Sequence, residues 1–261
     1  MSEIRYFPLY ENLLVVGATS ELFLEMIPKL LPYVKKFTCI GRDEKILSEI
    51  HSHYPHHVEI LSLDLLDNNV YPRIESLLEN QEFDGLLQLQ GYGLYGFFDS
   101  IDLKDHEKII QLNLVSLMKI LHLFIQKQKR PNKCKLILQA ASLAGIVYCP
   151  FLASYAAAKS ALIHLSKTLE LENLEHFKFI TLSPKSFGSH FALRASLGKY
   201  EKPEGKAYTE QVIKRFVQAV IHKKGDIYCS WADWFLAKLY FFVPKKLMYQ
   251  IFKKIMLKRQ S

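Results

Sequence analysis

Tyr155-Ala156-Ala157-Ala158-Lys159 sets a phenol and an ammonium one helical turn apart, so both lie on one face. A lysine so placed stabilises a tyrosinate and draws the phenol's pKa down from about 10 towards working pH. Ser142 lies 13 residues upstream, at the end of a strand-like run, and can hydrogen-bond the same substrate oxygen. Asn113 lies in the preceding long helical stretch. Such a set exchanges a proton with a carbonyl or carbinol oxygen and leaves the hydride to a cofactor. The spacing alone carries little weight, since Tyr249 and Lys253 repeat it in the tail. Its position after a strand, with the serine upstream, carries more.

A second group reads as a nucleotide cradle. The apolar run Leu13 to Val16 is followed by Gly17-Ala18-Thr19-Ser20-Glu21-Leu22-Phe23, a turn that opens a helix. A dinucleotide pyrophosphate can rest on such a helix N-terminus. Only the first of the three expected glycines is present, so an ordinary strand-to-helix turn explains this segment equally well. The second apolar run ends in Gly41-Arg42. NAD sites place an acid near here, whereas NADP sites place an arginine for the 2′-phosphate. The pair therefore predicts NADP in preference to NAD, a reading that the adjoining Asp43 weakens. His51, His53, His56 and His57 crowd seven residues without carboxylate or cysteine partners at ligand spacing, so no metal is expected.

The elements that must hold these groups alternate along the chain. Strands are predicted at Leu13 to Val16, Phe37 to Ile40, Val58 to Leu63, Leu86 to Leu89, Lys135 to Gln139 and Phe179 to Leu182. Helices are predicted around Leu22 to Leu31, Glu44 to His51, Tyr71 to Glu79, His106 to Gln126 and Tyr155 to Leu174. Short strands separated by helices imply crossover units, hence an α/β doubly wound parallel sheet with helices on both faces. The stretch Gly198 to Gly205 is a loop insertion of the kind that covers a site.

On Ser142, Tyr155, Lys159 and Asn113 the chain resembles the short-chain dehydrogenase/reductase family, over roughly residues 12 to 230. The resemblance implies a catalytic tetrad. Ser142 would polarise the substrate oxygen and Tyr155 would act as acid or base. Lys159 would hold the nicotinamide ribose and tune Tyr155, and Asn113 would support a water in the proton relay. Ser142-Leu143-Ala144-Gly145 is similar to the family's Ser-x-x-Gly segment. Asp64 corresponds to the acid that contacts adenine, Ser183-Pro184 to the proline after the sixth strand, and Ser189 to the hydroxyl residue reaching the carboxamide. The cofactor set is thus Gly17, Ala18, Thr19, Ser20, Leu22, Arg42, Asp64, Gly91, Tyr155, Lys159, Pro184 and Ser189.

Departures from the family pattern lie in the cofactor half. Glu21 and Phe23 stand where glycines are usual, Gln88-Leu89-Gln90-Gly91 replaces the Asn-Asn-Ala-Gly turn, and Pro184-Lys185 replaces Pro-Gly. Two readings follow: a divergent NADP-dependent oxidoreductase of a carbonyl/alcohol pair, or a non-catalytic binding or scaffold protein that keeps the fold. The intact tetrad favours the first. Tyr92, Leu94, Tyr95, Phe97 and Phe98, with Leu143, Tyr148, Phe151, His190 and Phe191, predict an apolar pocket for a bulky or lipophilic small-molecule substrate; plain core packing explains the first five equally well. The resemblance also implies a homodimer or homotetramer, paired through the helices of Asn113 and Tyr155.

The chain has 261 residues, 49% of them apolar, which excludes disorder and coiled coil. No stretch reaches the roughly 18 apolar residues of a spanning helix, the nearest being Trp231 to Val243, interrupted by Asp233 and Lys238, and Met1 to Glu11 lacks a signal peptide's apolar core. Four cysteines without CxxC spacing predict reduced, mostly buried thiols in the cytoplasm. The net charge is +8, and six of the basic residues fall within Lys245 to Ser261, which has no acid. That distribution argues against a nucleic-acid footprint. Residues 1–230 thus read as the catalytic domain and 231–261 as an aromatic and basic extension. In the extension Leu247, Met248, Ile251, Phe252, Ile255 and Met256 form an amphipathic stripe. A terminal helix packed on the domain is one reading of it; peripheral contact with the inner membrane face is the other.

Overall fold

The computed structural model describes residues 8–130, 133–172, 175–186, 190–199, 206–225 and 227–260. Its strands are β1 (Leu13–Val16), β2 (Phe37–Gly41), β3 (Val58–Ser62), β4 (Gly85–Gln88), β5 (Lys135–Ala140) and β6 (Phe177–Leu182). They form one sheet in the order β3-β2-β1-β4-β5-β6, and every pairing is parallel. Parallel strands joined by crossover helices are covered on both faces, which is why β1, β2 and β4 read as uninterrupted buried runs. β3, at the edge, exposes Glu59, Ile60 and Ser62.

The helices are α1 (Glu21–Leu30), α2 (Glu44–His53), α3 (Tyr71–Asn80), α4 (Leu103–Ile110), α5 (Ser116–Gln128), α6 (Ala153–Glu172), α7 (Phe191–Ala195), α8 (Lys206–His222), α9 (Trp231–Tyr240) and α10 (Lys245–Gln260). One core joins Val15 and Leu138 of the sheet to Phe23 and Met26 of α1 and Phe216 of α8. The other joins Leu14, Val16 and Ile137 to Ile74 of α3 and Ile120 and Phe124 of α5. All six predicted strands are present, each within two residues of its expected ends. Between β6 and the tail, α7, α8 and α9 are new; α8 carries a legible stripe (Val212, Ile213, Phe216, Val217, Val220) on its buried side.

Two local features serve the site. The strand order reverses between β1 and β4, so the loops leaving their carboxyl ends part and leave a crevice. The predicted helix from His106 to Gln126 is two helices joined by a π turn, Gln111–Val115, in which the Ser116 N–H donates to the Gln111 carbonyl. π turns of this kind re-aim side chains at functional positions, and this one carries Asn113. The joined rod Leu103–Gln128 is long and apolar enough to cross a membrane by length and composition. Its Ile109, Leu117, Ile120, Leu121 and Phe124 are nevertheless buried in the protein's interior. The cysteines are free, with Cys39 and Cys229 buried, Cys149 half-buried and Cys134 exposed. Fewer of them are buried than the sequence led us to expect.

Candidate active site

β5 delivers Ser142 two residues past its end, where it caps a single 3-10 turn, Leu143–Gly145; the Ser142 hydroxyl accepts from the Ala144 N–H at 3.2 Å. A Cβ on Gly145 would fall 2.7 Å from the backbone carbon of Lys159. Only glycine lets this turn press against α6, and that contact holds Ser142 beside Tyr155. Tyr155 and Lys159 occupy the buried face of α6. Gly93 has a similar role, since a Cβ there would lie 3.2 Å from the Tyr155 ring and 3.0 Å from Phe191. The Tyr155 and Phe191 rings meet at a 44° tilt, 5.1 Å between centroids.

Burial dominates the electrostatics. It pushes the Tyr155 phenol above its ordinary value, opposed by the hydrogen bond with Ser142. It pulls the Lys159 ammonium down to about 7. The expected lowering of the phenol by Lys159 is therefore not seen. Lys159 Nζ donates to the carbonyls of Ala140 (2.9 Å) and Gln90 (3.5 Å) and stands 5.7 Å from the Tyr155 ring centre. Asn113 is fully buried; its amide donates to the Tyr92 (2.6 Å) and Ile109 (2.8 Å) carbonyls, and its oxygen accepts from the Tyr92 N–H at 3.3 Å. A Cβ on Gly91 would lie 3.4 Å from the Asn113 oxygen and 3.7 Å from Lys159 Nζ. Asn113 thus fixes the loop after β4 beside Lys159.

The cradle at β1 is built by close approach. Gly17 has φ +83, and a Cβ there would meet the Gln90 backbone nitrogen at 2.5 Å, so residue 17 can only be glycine. Ala18 is buried, and Thr19 packs on Gly41, where a Cβ would fall 2.7 Å from its methyl. Ser20 caps α1, accepting from the Phe23 N–H, and lines the crevice with Leu22. Phe23 points the other way, into the core, where it meets Phe37 edge-to-face at 5.6 Å. It leaves the crevice open. Glu21 is clamped by Arg194 at 2.7 and 3.3 Å and by His190 at 3.1 Å. Burial pushes its carboxyl up, but these partners and a backbone hydrogen bond outweigh it and hold it at about 2. No sequence signal pairs residues 21 and 194.

Of the remaining predicted residues, Arg42 is exposed and makes no ion pair among the described residues, while Asp43 caps α2 by accepting from the Ile46 N–H. Asp64 is exposed and accepts from the Leu66 N–H. Pro184 lines the crevice, and its carbonyl accepts from the Leu143 N–H. Ser189 lies outside the described residues, as do 200–205 of the predicted loop insertion. His51, His53 and His57 each turn Nδ1 to a backbone carbonyl.

The crevice continues past Tyr155 as one cavity of about 560 Å3, mostly apolar. Tyr95, Leu143 and Phe191 line it as expected. Tyr92, Leu94, Phe97, Phe98, Tyr148, Phe151 and His190 do not. Phe151 packs on Phe97 and Phe98 on His106, and Tyr148 meets Tyr240. Their place is taken by Leu236, Leu239 and Tyr240 of α9, Val243, and Met248 and Ile251 of α10. The extension therefore roofs the cavity. Asp233, fully buried, ties it down by accepting from the Tyr208 hydroxyl at 2.9 Å, and that hydroxyl in turn accepts from the Lys185 N–H at 3.0 Å. The side chains of Phe252, Ile255 and Met256 lie outside the described part.

One polar group in the crevice lacks a partner. Both side-chain amide atoms of Gln90 are buried without a hydrogen bond among the described residues, and Gln90 lines the cavity.

A parallel sheet with a glycine turn at its switch point and a Ser-Tyr-Lys cluster beside it defines a class. The sequence model of the short chain dehydrogenase family matches residues 11–190, and the chain belongs to that family. A probable short-chain type dehydrogenase/reductase VdlC of Helicobacter pylori is 26% identical over 160 residues, 60% of this chain and 58% of that protein. Mouse 17-beta-hydroxysteroid dehydrogenase type 1 is 27% identical over 117 residues, 45% of this chain and 34% of that protein. The chain thus spans little more than half of the first relative and a third of the second. A short-chain dehydrogenase from Burkholderia cenocepacia, solved with NADP, has a TM-score of 0.72 at 16% identity and covers 89% of this chain and 93% of its own. One from Burkholderia phymatum, solved with NAD, gives 0.71 at 18% identity over 89% and 94%. At these identities the likeness is one of fold.

Proposed function

We propose that the protein is an NADP-dependent oxidoreductase that interconverts a carbonyl and an alcohol on a bulky, lipophilic substrate. The observation that carries this reading is the opening of Ser142, Tyr155 and Lys159 into the same cavity as the N-terminus of α1. The residues fit a dinucleotide. Gly17 makes room at the turn, the α1 N-terminus favours an anion, and the unpartnered Gln90 amide supports a bound polar ligand. Arg194 neutralises Glu21, the one group there that would repel a pyrophosphate. Fold neighbours bound to NADP or NAD support a nicotinamide cofactor in general. Arg42, without an ion pair among the described residues and following Gly41 at the end of β2, supports NADP in particular, with the adjoining Asp43 engaged in capping α2.

A nicotinamide held there supplies or accepts the hydride. Tyr155, kept protonated by burial, donates its proton to the carbonyl oxygen as the alcohol forms, and Ser142 hydrogen-bonds that oxygen. Lys159, cationic below about 7, stabilises the tyrosinate left behind. Asn113 holds the β4 loop against this group. The four free cysteines support a cytoplasmic setting. Met118 of α5 and Leu171 of α6, both exposed, support pairing of two copies across those helices.

Calorimetric titration with NADPH and NADH tests the cofactor. Tight NADPH binding, weakened at least tenfold by Arg42→Ala with little change for NADH, is the expected outcome. Tyr155→Phe should then lose about 10²–10⁴-fold in carbonyl turnover at saturating NADPH. Absence of binding to either nucleotide would transfer the reading to a scaffold role.

A further inference from the structure

We propose that α9 and α10 dock on an anionic lipid bilayer, with the mouth of the cavity facing it, so that the substrate is an alcohol or ketone dissolved in the membrane. The last point rests on the oxidoreductase reading above; the docking does not.

The first observation is an exposed aromatic ledge. Trp231 is 73% exposed and stacks on Trp234 and Phe235, with ring centres 6.4 and 5.5 Å apart. Phe241 and Phe242 follow at 62% and 84% exposure. Water disfavours such exposed aromatic rings, whereas tryptophan in particular settles at the headgroup level of a bilayer. The second observation is charge. Residues 231–261 hold seven basic side chains and a single acid, Asp233, which is buried. Some lysines elsewhere pair with carboxylates, as in Lys36–Glu59, Lys127–Glu79 and Lys133–Asp84. Lys238, Lys246, Lys253 and Lys254 are exposed and make no ion pair among the described residues. Unpaired cations beside exposed aromatic rings match an anionic membrane surface.

The third observation ties this face to the site. Leu236, Leu239 and Ile251 line the cavity and are also about half exposed, at 50%, 45% and 43%. They are the rim through which the cavity meets the ledge. A bilayer against the ledge therefore covers the mouth, and an apolar molecule passes from lipid to cavity without crossing water.

Trp231 and Trp234 are the only tryptophans in the chain, so intrinsic fluorescence reports on the ledge alone. The full chain, without nucleotide, is mixed with phosphatidylcholine vesicles containing or lacking phosphatidylserine. A blue shift and co-sedimentation with the anionic vesicles, weakened at high salt, are expected. The quadruple variant Lys238→Glu/Lys246→Glu/Lys253→Glu/Lys254→Glu, its melting temperature unchanged, should lose at least tenfold in vesicle affinity. An unshifted spectrum on anionic vesicles, or full binding by the quadruple variant, overturns the docking. So does a blue shift that appears with protein concentration alone, since it would give the ledge to a second copy.

Orientation is read with brominated phospholipid. In a Trp231→Phe/Trp234→Phe background, Leu239→Trp should be quenched by brominated lipid. Quenching of the native tryptophans without quenching at position 239 would turn the mouth away from the membrane and remove the substrate class. Failure of NADPH to bind in the titration above would overturn the oxidoreductase reading and leave both lipid measurements standing.

Discussion

Lys159 lies at the centre of the proposed chemistry, and its charge is set by burial. The folded chain holds it at about 7, below a free lysine's value near 10.4. Between those values the unfolded chain takes up a proton that the folded chain refuses. Lys159 therefore costs stability at and below neutral pH, and the cost fades as pH rises towards 10.4. Lys159→Met, which keeps much of the volume without the charge, should be more stable than the parent by roughly 3 kcal/mol near pH 6. That gap should close as pH rises to about 10, read as the difference in urea midpoints across the range. The same substitution should abolish turnover, because the tyrosinate left by proton donation then has no counter-charge. A pH-independent gap would mean that the ammonium is solvated in a way its burial does not indicate.

In the proposed reading the element that decides nucleotide binding is the N-terminus of α1, where Glu21 stands in the position of a glycine usual for the family. Glu21 would repel a pyrophosphate, yet Arg194 on α7 grips it from across the crevice. Arg194→Ala should raise the NADPH dissociation constant about tenfold, since an unmasked carboxylate then faces the phosphates. The clamp has its own pH signature. Glu21 is held at about 2, below the ordinary carboxylate value of 4.5. Its contribution is thus complete above roughly pH 5 and vanishes as pH falls towards 2. A half-exposed partner limits it to about 1 kcal/mol. Melting curves of parent and Arg194→Ala should therefore differ by a constant amount near neutrality and converge in acid. The glycine turn itself is readable from sequence as a turn, because a left-handed residue between a strand and a capped helix is a local matter. Its partner in the clamp is not, because 173 residues separate Glu21 from Arg194.

At the scale of the molecule, the tail is part of the cavity. Asp233 joins α9 to Tyr208 of α8, and Ala237 packs on Leu143 and Val147 beside Ser142. Asp233→Ala removes the acceptor of the half-buried Tyr208 hydroxyl, which should cost about 1–3 kcal/mol. In a chain of this size that lowers the melting temperature by several degrees in differential scanning calorimetry. It should also raise KM for an apolar carbonyl more than it lowers kcat, if the roof binds substrate and Tyr155 transfers the proton as proposed above. Equal losses in both would place Asp233 in the catalytic step instead.

Much of this protein is legible in its residues. Six strands, the glycine turn, and the shared face of Tyr155 and Lys159 follow from periodicity and spacing. Those are short-range properties that the backbone's few allowed conformations impose directly. The matches lie within two residues because apolar runs and turn residues bound each strand closely. Folding alone settled where the anomalous residues point. Phe23 turns into the core against Phe37 instead of closing the crevice, and Glu21 is neutralised by a distant arginine. The amphipathic tail folds back over the cavity, and aromatic residues expected as its walls pack against one another. These outcomes depend on which surfaces meet after burial, and no local pattern encodes the partner a side chain will find across the fold.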